Sequence, residues 1–203
     1  MLQIKSKYKI AKRLGGHLFE QTQTQKFSLS DARFKKQKKQ RRGGSDFNRQ
    51  LLEKQKVRYS YGLSERQLGT YAARAFETEN PQRTLHEMLE SRLDNVVYRA
   101  QFLSTRRAAR QAVSHGHITV NGRKVTRPSF SVSPKDVIGI REGSRTSVLF
   151  SALQNEKEGE VRQIPKWLSP DYNLLTARIS SKPEYVPAEH ALDYQTVFEF
   201  YSR

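Results

Sequence analysis

Positive charge dominates this chain and decreases from its first residues to its last. Residues 1–60 contain 17 lysines and arginines against 4 acidic residues, residues 61–140 contain 12 against 7, and residues 141–203 contain 8 against 9. The three segments carry net charges of +13, +5 and −1, and the whole chain carries +17. An excess of this size indicates a polyanionic partner, with nucleic acid ahead of an anionic membrane surface. A surplus that only increases solubility is the alternative, and the uneven distribution of the charge argues against it.

The densest basic run reads Lys35-Lys36-Gln37-Lys38-Lys39-Gln40-Arg41-Arg42 and is followed by two glycines. It has no apolar periodicity from which a core face could form, so we predict an extended or adaptable arm that contacts phosphates. A disordered or localisation-type tail fits the composition equally well. Residues 1–44 as a whole are expected to be weakly structured, and the part around Lys9, Lys12 and Arg13 to become a strand or short helix only on RNA.

Composition and motifs argue against several classes of protein. The 203 residues suffice for one large or two small domains, and they include no cysteine, which excludes disulfides, thiol catalysis and cysteine-based zinc sites. No unbroken apolar run exceeds three residues, which argues against a membrane span, and the first residues lack the apolar stretch of a secretory signal. The chain contains no P-loop, no G-x-G-x-x-G and no G-x-S-x-G motif.

The residues left as candidates for catalysis or metal binding form weak patterns. His86-Glu87 lacks the second histidine of H-E-x-x-H, and His115-x-His117 has no nearby acid or cysteine to complete a metal site. Glu90 and Asp94 are four residues apart on one helix face, which is more typical of a solvated pair than of an acid/base pair. We therefore predict no enzyme, no cofactor and no metal.

Helix signals begin at Ser45 or Asp46, either of which can cap a helix that runs toward Tyr59. Two capping boxes follow, Ser64-x-x-Gln67 and Thr84-x-x-Glu87, and each is expected to begin an amphipathic helix. The second helix is predicted to continue as far as Val97, with leucines and valines as its core face.

Residues 102–140 show a change in pattern. A short helix is predicted from Thr105 to His115, capped by Gly116, with three arginines and Ser114 on one side and three alanines on the other. After it, Asn121-Gly122 indicates a type I′ turn between two short strands, and Val137–Ile140 is predicted to be a third. The helix and the hairpin together predict a compact cationic surface, since guanidinium groups match the geometry of phosphate.

The last third of the chain has a mixed pattern. Ser147 to Glu156 is compatible with a helix, and Trp167 to Ile179 alternates enough for two strands around Asp171-Tyr172-Asn173. The apolar ending at Val197, Phe198, Phe200 and Tyr201 is expected to dock on a core.

Three motifs resemble one known family. Arg92-Leu93-Asp94-Asn95-Val96-Val97-Tyr98-Arg99, then Arg106 to Gln111, then Val113 to Gly122 strongly resemble the RNA-binding module first defined in ribosomal protein S4. The flanking segments, around Leu52–Arg58, Tyr61-Gly62, Glu65-Arg66-Gln67 and the ending Glu199–Arg203, are similar to the bacterial ribosomal protein itself. The resemblance covers residues 45–203, and residues 1–44 more loosely. Without cysteines, the chain resembles the zinc-free branch of that family.

The resemblance implies an α+β fold. It consists of a helical domain interrupted by a small RNA-binding module, in which short helices pack on a mainly antiparallel sheet, and it has a basic N-terminal arm. The implied domains are residues 1–44 as the arm, 45–91 as the helical domain completed by about 180–203, and 92–179 as the module with its β-rich extension, of which 92–140 are the core.

The resemblance also implies a function and partners. Members of the family are constituents of the small ribosomal subunit in the cytoplasm. They bind the 5′ domain of small-subunit rRNA early in assembly, border small-subunit proteins three and five, affect decoding accuracy and line the path by which mRNA enters. We therefore expect rRNA, mRNA and those two proteins as partners, with no membrane and no homo-oligomer.

Basic segments and resemblance together predict the residues that contact RNA. They are Lys9, Lys12, Arg13, Lys35, Lys36, Lys38, Lys39, Arg41, Arg42, Arg49, Lys54, Lys56, Arg58, Tyr61, Arg66, Arg92, Arg106, Arg107, Arg110, Gln111, Ser114, His115, His117, Asn121, Arg123 and Lys124.

Two alternatives share the same module. The first is an RNA-modifying enzyme such as a pseudouridine synthase. Arg92-Leu93-Asp94 superficially resembles the short catalytic motif of that enzyme. That motif lies within the module's own first helix here, and no separate catalytic domain of adequate length remains. The second is a free RNA chaperone, a group that lacks the long flanking segments seen in this chain.

Overall fold

The computed structural model describes residues 4, 6–15, 18–19, 22–38, 45–150, 164–187 and 191–202, with the backbone alone for residues 35–38. The chain divides into two units. The first comprises Met1–Leu85 with Val186–Arg203, and the second comprises His86–Tyr185, so the second unit is inserted in the sequence of the first. The finer division predicted at residues 45, 92 and 179 stays a prediction.

The first unit is helical. Its helices are α1 (Lys7–Leu14), α2 (Gln25–Lys38), α3 (Asp46–Ser60), α4 (Glu65–Phe76) and, near the end of the chain, α8 (Tyr194–Tyr201). A further helix, α5 (Pro81–Glu90), begins in this unit and ends in the second.

Side-chain caps explain where three of these helices begin. Ser45 accepts a hydrogen bond from the backbone N–H of Asn48 at 3.3 Å, and Asp193 accepts one from Thr196 at 3.1 Å. At α4 the predicted capping box is confirmed, because Ser64 Oγ accepts from the N–H of Gln67 and Gln67 Oε1 accepts from the N–H of Ser64. Each cap satisfies backbone donors that a helix start leaves without a partner inside the helix.

Two helices lie where little structure was predicted. Within α1, Ala11 and Leu14 are buried, and Ala11 joins Phe19 and Phe27 in a small apolar cluster. The helix α2 extends through Lys38, so of the predicted extended or adaptable arm the extended form is wrong for residues 35–38. The rest of that run, residues 39–44, lies outside the described residues.

The second predicted capping box is wrong. The helix α5 begins at Pro81, so Thr84 is its fourth residue rather than its cap. Proline is favoured at the first helical position, where its missing N–H costs nothing and its φ is already helical. The predicted continuation is also interrupted, because α5 ends at Glu90 and α6 (Leu93–Arg99) begins after a break of two residues.

The second unit is an α+β structure. The helices α6 and α7 (Arg106–Ser114) share one core with a five-stranded sheet, whose buried residues include Val96, Ala109, Val113 and Ile138. The strands are β1 (Ile118–Val120), β2 (Arg123–Lys124), β3 (Val137–Ile140), β4 (Leu168–Asp171) and β5 (Thr176–Ile179). Their order is β2-β1-β3-β5-β4, and every neighbouring pair is antiparallel. The predicted fold class is confirmed.

The strands predicted around residues 118–125, 137–140 and 167–179 are confirmed. The turn between β1 and β2 has φ values of 49° at Asn121 and 78° at Gly122, the pair of positive angles that a type I′ turn requires. The helix predicted from Ser147 to Glu156 falls largely outside the described residues. At the end of the chain, Val197 and Phe198 are buried in α8 as expected.

None of the helices in the described part of the chain has the length and apolar character that crossing a membrane requires.

Candidate nucleic-acid interface

The helix α7 separates two kinds of side chain. Ala109, Ala112 and Val113 are buried in the core of the second unit, while Arg107 and Gln111 are exposed. Thr105 caps the helix by accepting a hydrogen bond from the N–H of Ala108 at 3.1 Å. The small buried residues let α7 pack closely, and the exposed ones present guanidinium and amide groups to solvent.

The β1–β2 hairpin lies beside the end of α7. Arg123 and Lys124 are exposed on β2, directly after the turn. Gly116, which follows α7 with a φ of +76°, is so close to the Lys124 side chain that an added Cβ would lie 2.1 Å from Lys124 Cε. The Lys124 side chain therefore crosses the end of α7 and joins the hairpin to the helix.

We call the exposed side chains of the helix and the hairpin together the basic face. Its exposed members are Arg107, Gln111, Ser114, His115, Arg123 and Lys124. The set carries three positive charges, on Arg107, Arg123 and Lys124, and no negative one. Such a surface can bind phosphate oxygens through charge and fixed donors without entering a groove, the mode that folded RNA favours.

Two further arginines of α7 are half-buried and have defined partners. Arg106 Nε donates to Asn95 Oδ1 at 2.9 Å, and the Arg106 guanidinium lies 4.4 Å from the centre of the Tyr98 ring. Arg110 Nη1 is 3.8 Å from Asp94 Oδ2. These contacts fix both side chains at the margin of the basic face.

Arg92 has a structural position instead of the predicted contact with RNA. Its side chain is 1% exposed, and it forms two hydrogen bonds with Asp94, Nε to Oδ1 at 3.0 Å and Nη2 to Oδ2 at 2.7 Å. Because a buried charge without a partner is very unfavourable, this pair belongs to the core.

Glu90 and Asp94 do not form the solvated pair that their spacing indicated, because both are buried. Glu90 accepts two hydrogen bonds from Arg99, each of 2.8 Å. Burial alone would raise the pKa of the Glu90 carboxyl, but the Arg99 charge and hydrogen bonds, with the charge of Arg106, lower that pKa far below its ordinary value. The carboxylate therefore stays ionised inside the second unit.

The remaining predicted residues of the second unit are held locally. His117 Nδ1 lies 2.9 Å from Ser144 Oγ, which is a hydrogen bond of either direction depending on the tautomer. Asn121 donates to Asp136 at 2.8 Å and accepts from the N–H of Val137 at 2.8 Å, so its amide supports the turn. Within the described residues, no group of three or more histidine, cysteine or acidic side chains is arranged to hold a metal ion.

In the first unit, four predicted residues are exposed and basic, namely Lys9, Arg13, Arg49 and Arg66. Lys12 is half-buried and donates to Ser30 Oγ at 2.7 Å. Arg58 is also half-buried, and its guanidinium donates to Leu63 O at 3.3 Å and Gln55 Oε1 at 3.0 Å. Lys56 is half-buried and pairs with Glu53.

Two predicted residues of the first unit lie in its interior. The Lys54 ammonium is 2.7 Å from Glu65 Oε1 and 4.0 Å from the centre of the Phe200 ring. The Tyr61 hydroxyl is 3.2 Å from that of Tyr194. Both side chains connect helices of the first unit, so neither is available at its surface.

The arm is described only in part. For Lys35, Lys36 and Lys38 only the backbone is described, as part of α2. Lys39, Arg41 and Arg42 lie outside the described residues. Their contribution to an interface rests on the sequence.

Asn95 and Glu90 were not predicted as residues of the RNA-binding site, although the structure connects them to the margin of the basic face. Asn95 is 2% exposed and contacts both Glu90 and Arg106. One signal in the sequence could have indicated them. Glu90, Asp94 and Asn95 are polar residues that lie among the valines and leucines predicted to form the core face of α5 and α6. Buried polar groups need partners, and arginines nearby in the sequence could have been proposed as those partners.

An antiparallel sheet flanked by short helices, one of which exposes a basic face beside a hairpin, defines a class of small RNA-binding modules. The comparisons agree, since residues 91–138 match the S4 domain family and residues 3–94 match the ribosomal protein S4/S9 N-terminal domain family.

Similarity over more than three quarters of the chain identifies the family more narrowly. The Small ribosomal subunit protein uS4 of Corynebacterium kroppenstedtii is 46% identical over 162 residues, which are 78% of this chain and 79% of the relative. The uS4 protein of Persephonella marina is 44% identical over 78% of this chain and 77% of its own length. The uS4 protein of Aquifex aeolicus is 43% identical over 78% of this chain and 76% of its own length. The chain belongs to the uS4 family, as the resemblance implied.

Proposed function

We propose that this chain binds the 5′ domain of small-subunit rRNA directly, through the basic face, and thereby nucleates assembly of the body of the subunit. As a uS4 family member, it is a structural constituent of the small ribosomal subunit in the bacterial cytoplasm and is not an enzyme. The particular rRNA site is the part that we infer.

The observation that carries the proposal is the basic face itself. Arg107, Arg123 and Lys124 are exposed together on one S4 domain, without an acidic member in the set. Each such group that binds a phosphate releases condensed counterions, which is a main source of affinity for nucleic acids. The rigid core beneath α7 keeps the charges at fixed spacing, and fixed spacing favours a folded RNA of matching shape over an arbitrary one.

The first unit supplies a second set of contacts in this proposal. Its exposed Lys9, Arg13, Arg49 and Arg66 add sequence-independent attraction to phosphates. We assign the arm, with Lys35, Lys36, Lys38, Lys39, Arg41 and Arg42, to the path by which mRNA enters. Contact with small-subunit proteins three and five, and an effect on decoding accuracy, follow from the family resemblance and are part of the same proposal.

Neither alternative is favoured. The matched relatives cover 78% of this chain and are called small ribosomal subunit proteins, so the flanking segments that a free chaperone lacks are present. An RNA-modifying enzyme would use Asp94 as its catalytic aspartate, but that carboxylate is buried and paired with Arg92.

A filter-binding titration at several salt concentrations tests the proposal. It compares the rRNA 5′ domain with an unrelated structured RNA of equal length. We expect much tighter binding to the 5′ domain, persisting at moderate salt. Equal affinities that collapse together as salt increases would mean that the +17 charge acts alone, and the chaperone would become the better assignment.

A charge reversal with a matched control tests the basic face. Arg107→Glu should weaken binding to the 5′ domain at least tenfold and lower the log–log salt slope by about 0.7–0.9 for each phosphate that the variant no longer binds. Arg178→Glu makes the same change at an exposed arginine on β5, outside the basic face, and should have a much smaller effect. Equal effects of the two substitutions would contradict the assignment of the surface.

A further inference from the structure

A buried chain of polar contacts runs from Glu90 to the margin of the basic face. Asn95 Nδ2 donates to Glu90 Oε2 at 2.8 Å and to the Glu90 carbonyl oxygen at 3.2 Å, while Asn95 Oδ1 accepts from Arg106 Nε at 2.9 Å. One amide therefore connects a buried carboxylate to an arginine of α7.

The carboxylate determines which way this amide points. Glu90 is 2% exposed and ionised, and an ionised carboxylate can only accept hydrogen bonds. Asn95 must turn its NH₂ group toward Glu90, and its oxygen is then directed at Arg106. Arg99, which forms two hydrogen bonds with Glu90, holds the carboxylate in place from another side.

A second contact completes the placement of Arg106. Its guanidinium lies 4.4 Å from the centre of the Tyr98 ring, a distance typical of a cation–π contact. An arginine side chain has many rotamers in solution, and ordering them upon binding opposes affinity. With its Nε bound to Asn95 and its plane against Tyr98, Arg106 is already ordered in the unbound protein.

We propose that Asn95, oriented by Glu90, is a positioning residue that presets Arg106 for contact with RNA. The inference rests on the proposed function, because it assumes that the RNA lies against α7. It adds two buried residues, one from α5 and one from α6, to those that determine affinity for RNA, although neither contacts RNA itself.

A double-mutant cycle on affinity for the rRNA 5′ domain tests the proposal. Asn95→Ala should weaken binding about threefold to tenfold, the range that corresponds to loss of one hydrogen bond. In an Arg106→Ala background the same substitution should change affinity by less than about twofold, because the residue through which Asn95 acts is absent. Equal factors in both backgrounds would refute the role in positioning.

The cycle separates this inference from the proposed function. If Arg106→Ala leaves affinity unchanged, the preset arginine is not in the interface and the inference fails, while the comparison of Arg107→Glu with Arg178→Glu still decides whether the basic face binds RNA. Val96→Ala, at a fully buried residue of the same helix, is the structural control. It should lower stability but leave affinity unchanged below the melting temperature.

A second pair of variants serves if Asn95→Ala does not fold. Asn95→Asp places a carboxylate against the Glu90 carboxylate and should weaken binding. Asn95→Asp combined with Glu90→Gln removes that repulsion and keeps an acceptor for Arg106 at position 95, although a glutamine at position 90 has only one oxygen for the two hydrogen bonds that Arg99 donates. We expect the combined variant to recover part of the affinity that Asn95→Asp loses. No recovery would show that the pairing of donor and acceptor does not matter.

Discussion

Burial and pairing with internal carboxylates divide the arginines of the second unit into two groups. Arg92 is 1% exposed and Arg99 29%, and each forms two hydrogen bonds with a buried carboxylate. Arg107 and Arg123 are exposed instead. The same residue type therefore serves two purposes in the S4 domain, neutralising internal acids and attracting phosphate.

The two purposes predict opposite effects of truncation. Arg92→Ala should lower the free energy of unfolding by about 3 kcal/mol, because the buried Asp94 loses two hydrogen bonds and keeps only the more distant Arg110 as an ionic partner. Arg107→Ala should change stability by less than about 0.5 kcal/mol and lower RNA affinity instead. Urea unfolding followed by circular dichroism measures the first quantity, and filter binding the second. Similar decreases of stability in both variants would contradict the distinction.

The Glu90 carboxylate should make stability depend on pH. Its pKa is lowered in the folded protein from an ordinary value of 4.5, so its contribution is complete above that pH and is lost as the pH falls below it. At pH 7 we expect Glu90→Gln to be about 1–3 kcal/mol less stable than the wild-type chain. The difference should narrow toward pH 3.

Thermal melts at both pH values measure this difference. Glu142→Gln, at an exposed glutamate of the same unit, should match the wild-type chain throughout. A gap between Glu90→Gln and wild type that stays constant from pH 7 to pH 3 would mean that the carboxylate charge is not the source of the stabilisation.

Individual residues were the least predictable part of the site. Charge density in the sequence indicated Lys54 and Arg92 as readily as Arg107, but the first two are 6% and 1% exposed. Tyr61 was indicated by resemblance and is buried against Tyr194. Exposure depends on which side of a helix meets the core, and the sequence of α3, in which polar residues surround a few apolar ones, does not specify that side.

Secondary structure was predictable where local chemistry alone determines it. The Ser64 box and the Asn121-Gly122 turn formed as predicted, because both depend on contacts within four residues. Thr84-x-x-Glu87 has the same pattern, yet Pro81 begins that helix one turn earlier. A pattern that permits a cap is overruled when another residue nearby starts the helix more favourably.

The contrast between the two boxes can be measured. Ser64→Ala removes the acceptor for the N–H of Gln67 and should cost about 1 kcal/mol of unfolding free energy. Thr84→Ala, made inside α5, should change stability by less than about 0.5 kcal/mol, since alanine favours a helix interior. Urea midpoints of the two variants provide the comparison. A larger decrease of the midpoint for Thr84→Ala than for Ser64→Ala would show that Thr84 caps the helix after all.

At the scale of the whole molecule, the gradient of charge separates attraction from specificity. Residues 1–60 carry +13 and lie entirely outside the S4 domain, while the basic face belongs to a sheet-backed core. Scattered charges attract any phosphate chain, whereas charges at fixed spacing discriminate between shapes. The overall fold class and the RNA-binding character could be read from the sequence because both are sums over many residues.

This separation predicts different effects of two multiple variants. Replacing Lys38, Lys39, Arg41 and Arg42 by glutamine should weaken binding to the rRNA 5′ domain and to an unrelated RNA by similar factors. Replacing Arg107, Arg123 and Lys124 by glutamine should weaken binding to the 5′ domain more than to the unrelated RNA. Filter binding of both RNAs across a range of salt concentrations measures affinity and salt slope together.

The two measured quantities then distinguish how each group of charges acts. The slope for the first variant should fall by at most about 3–4, since each of its four positions contributes about 0.7–0.9 when it binds a phosphate. The ratio of affinities for the two RNAs should stay near the wild-type value in that variant and fall in the second. If the variant of the arm lowered the ratio of affinities instead, the contacts specific for the 5′ domain would lie in residues 1–60, and the basic face would attract RNA of any sequence or shape.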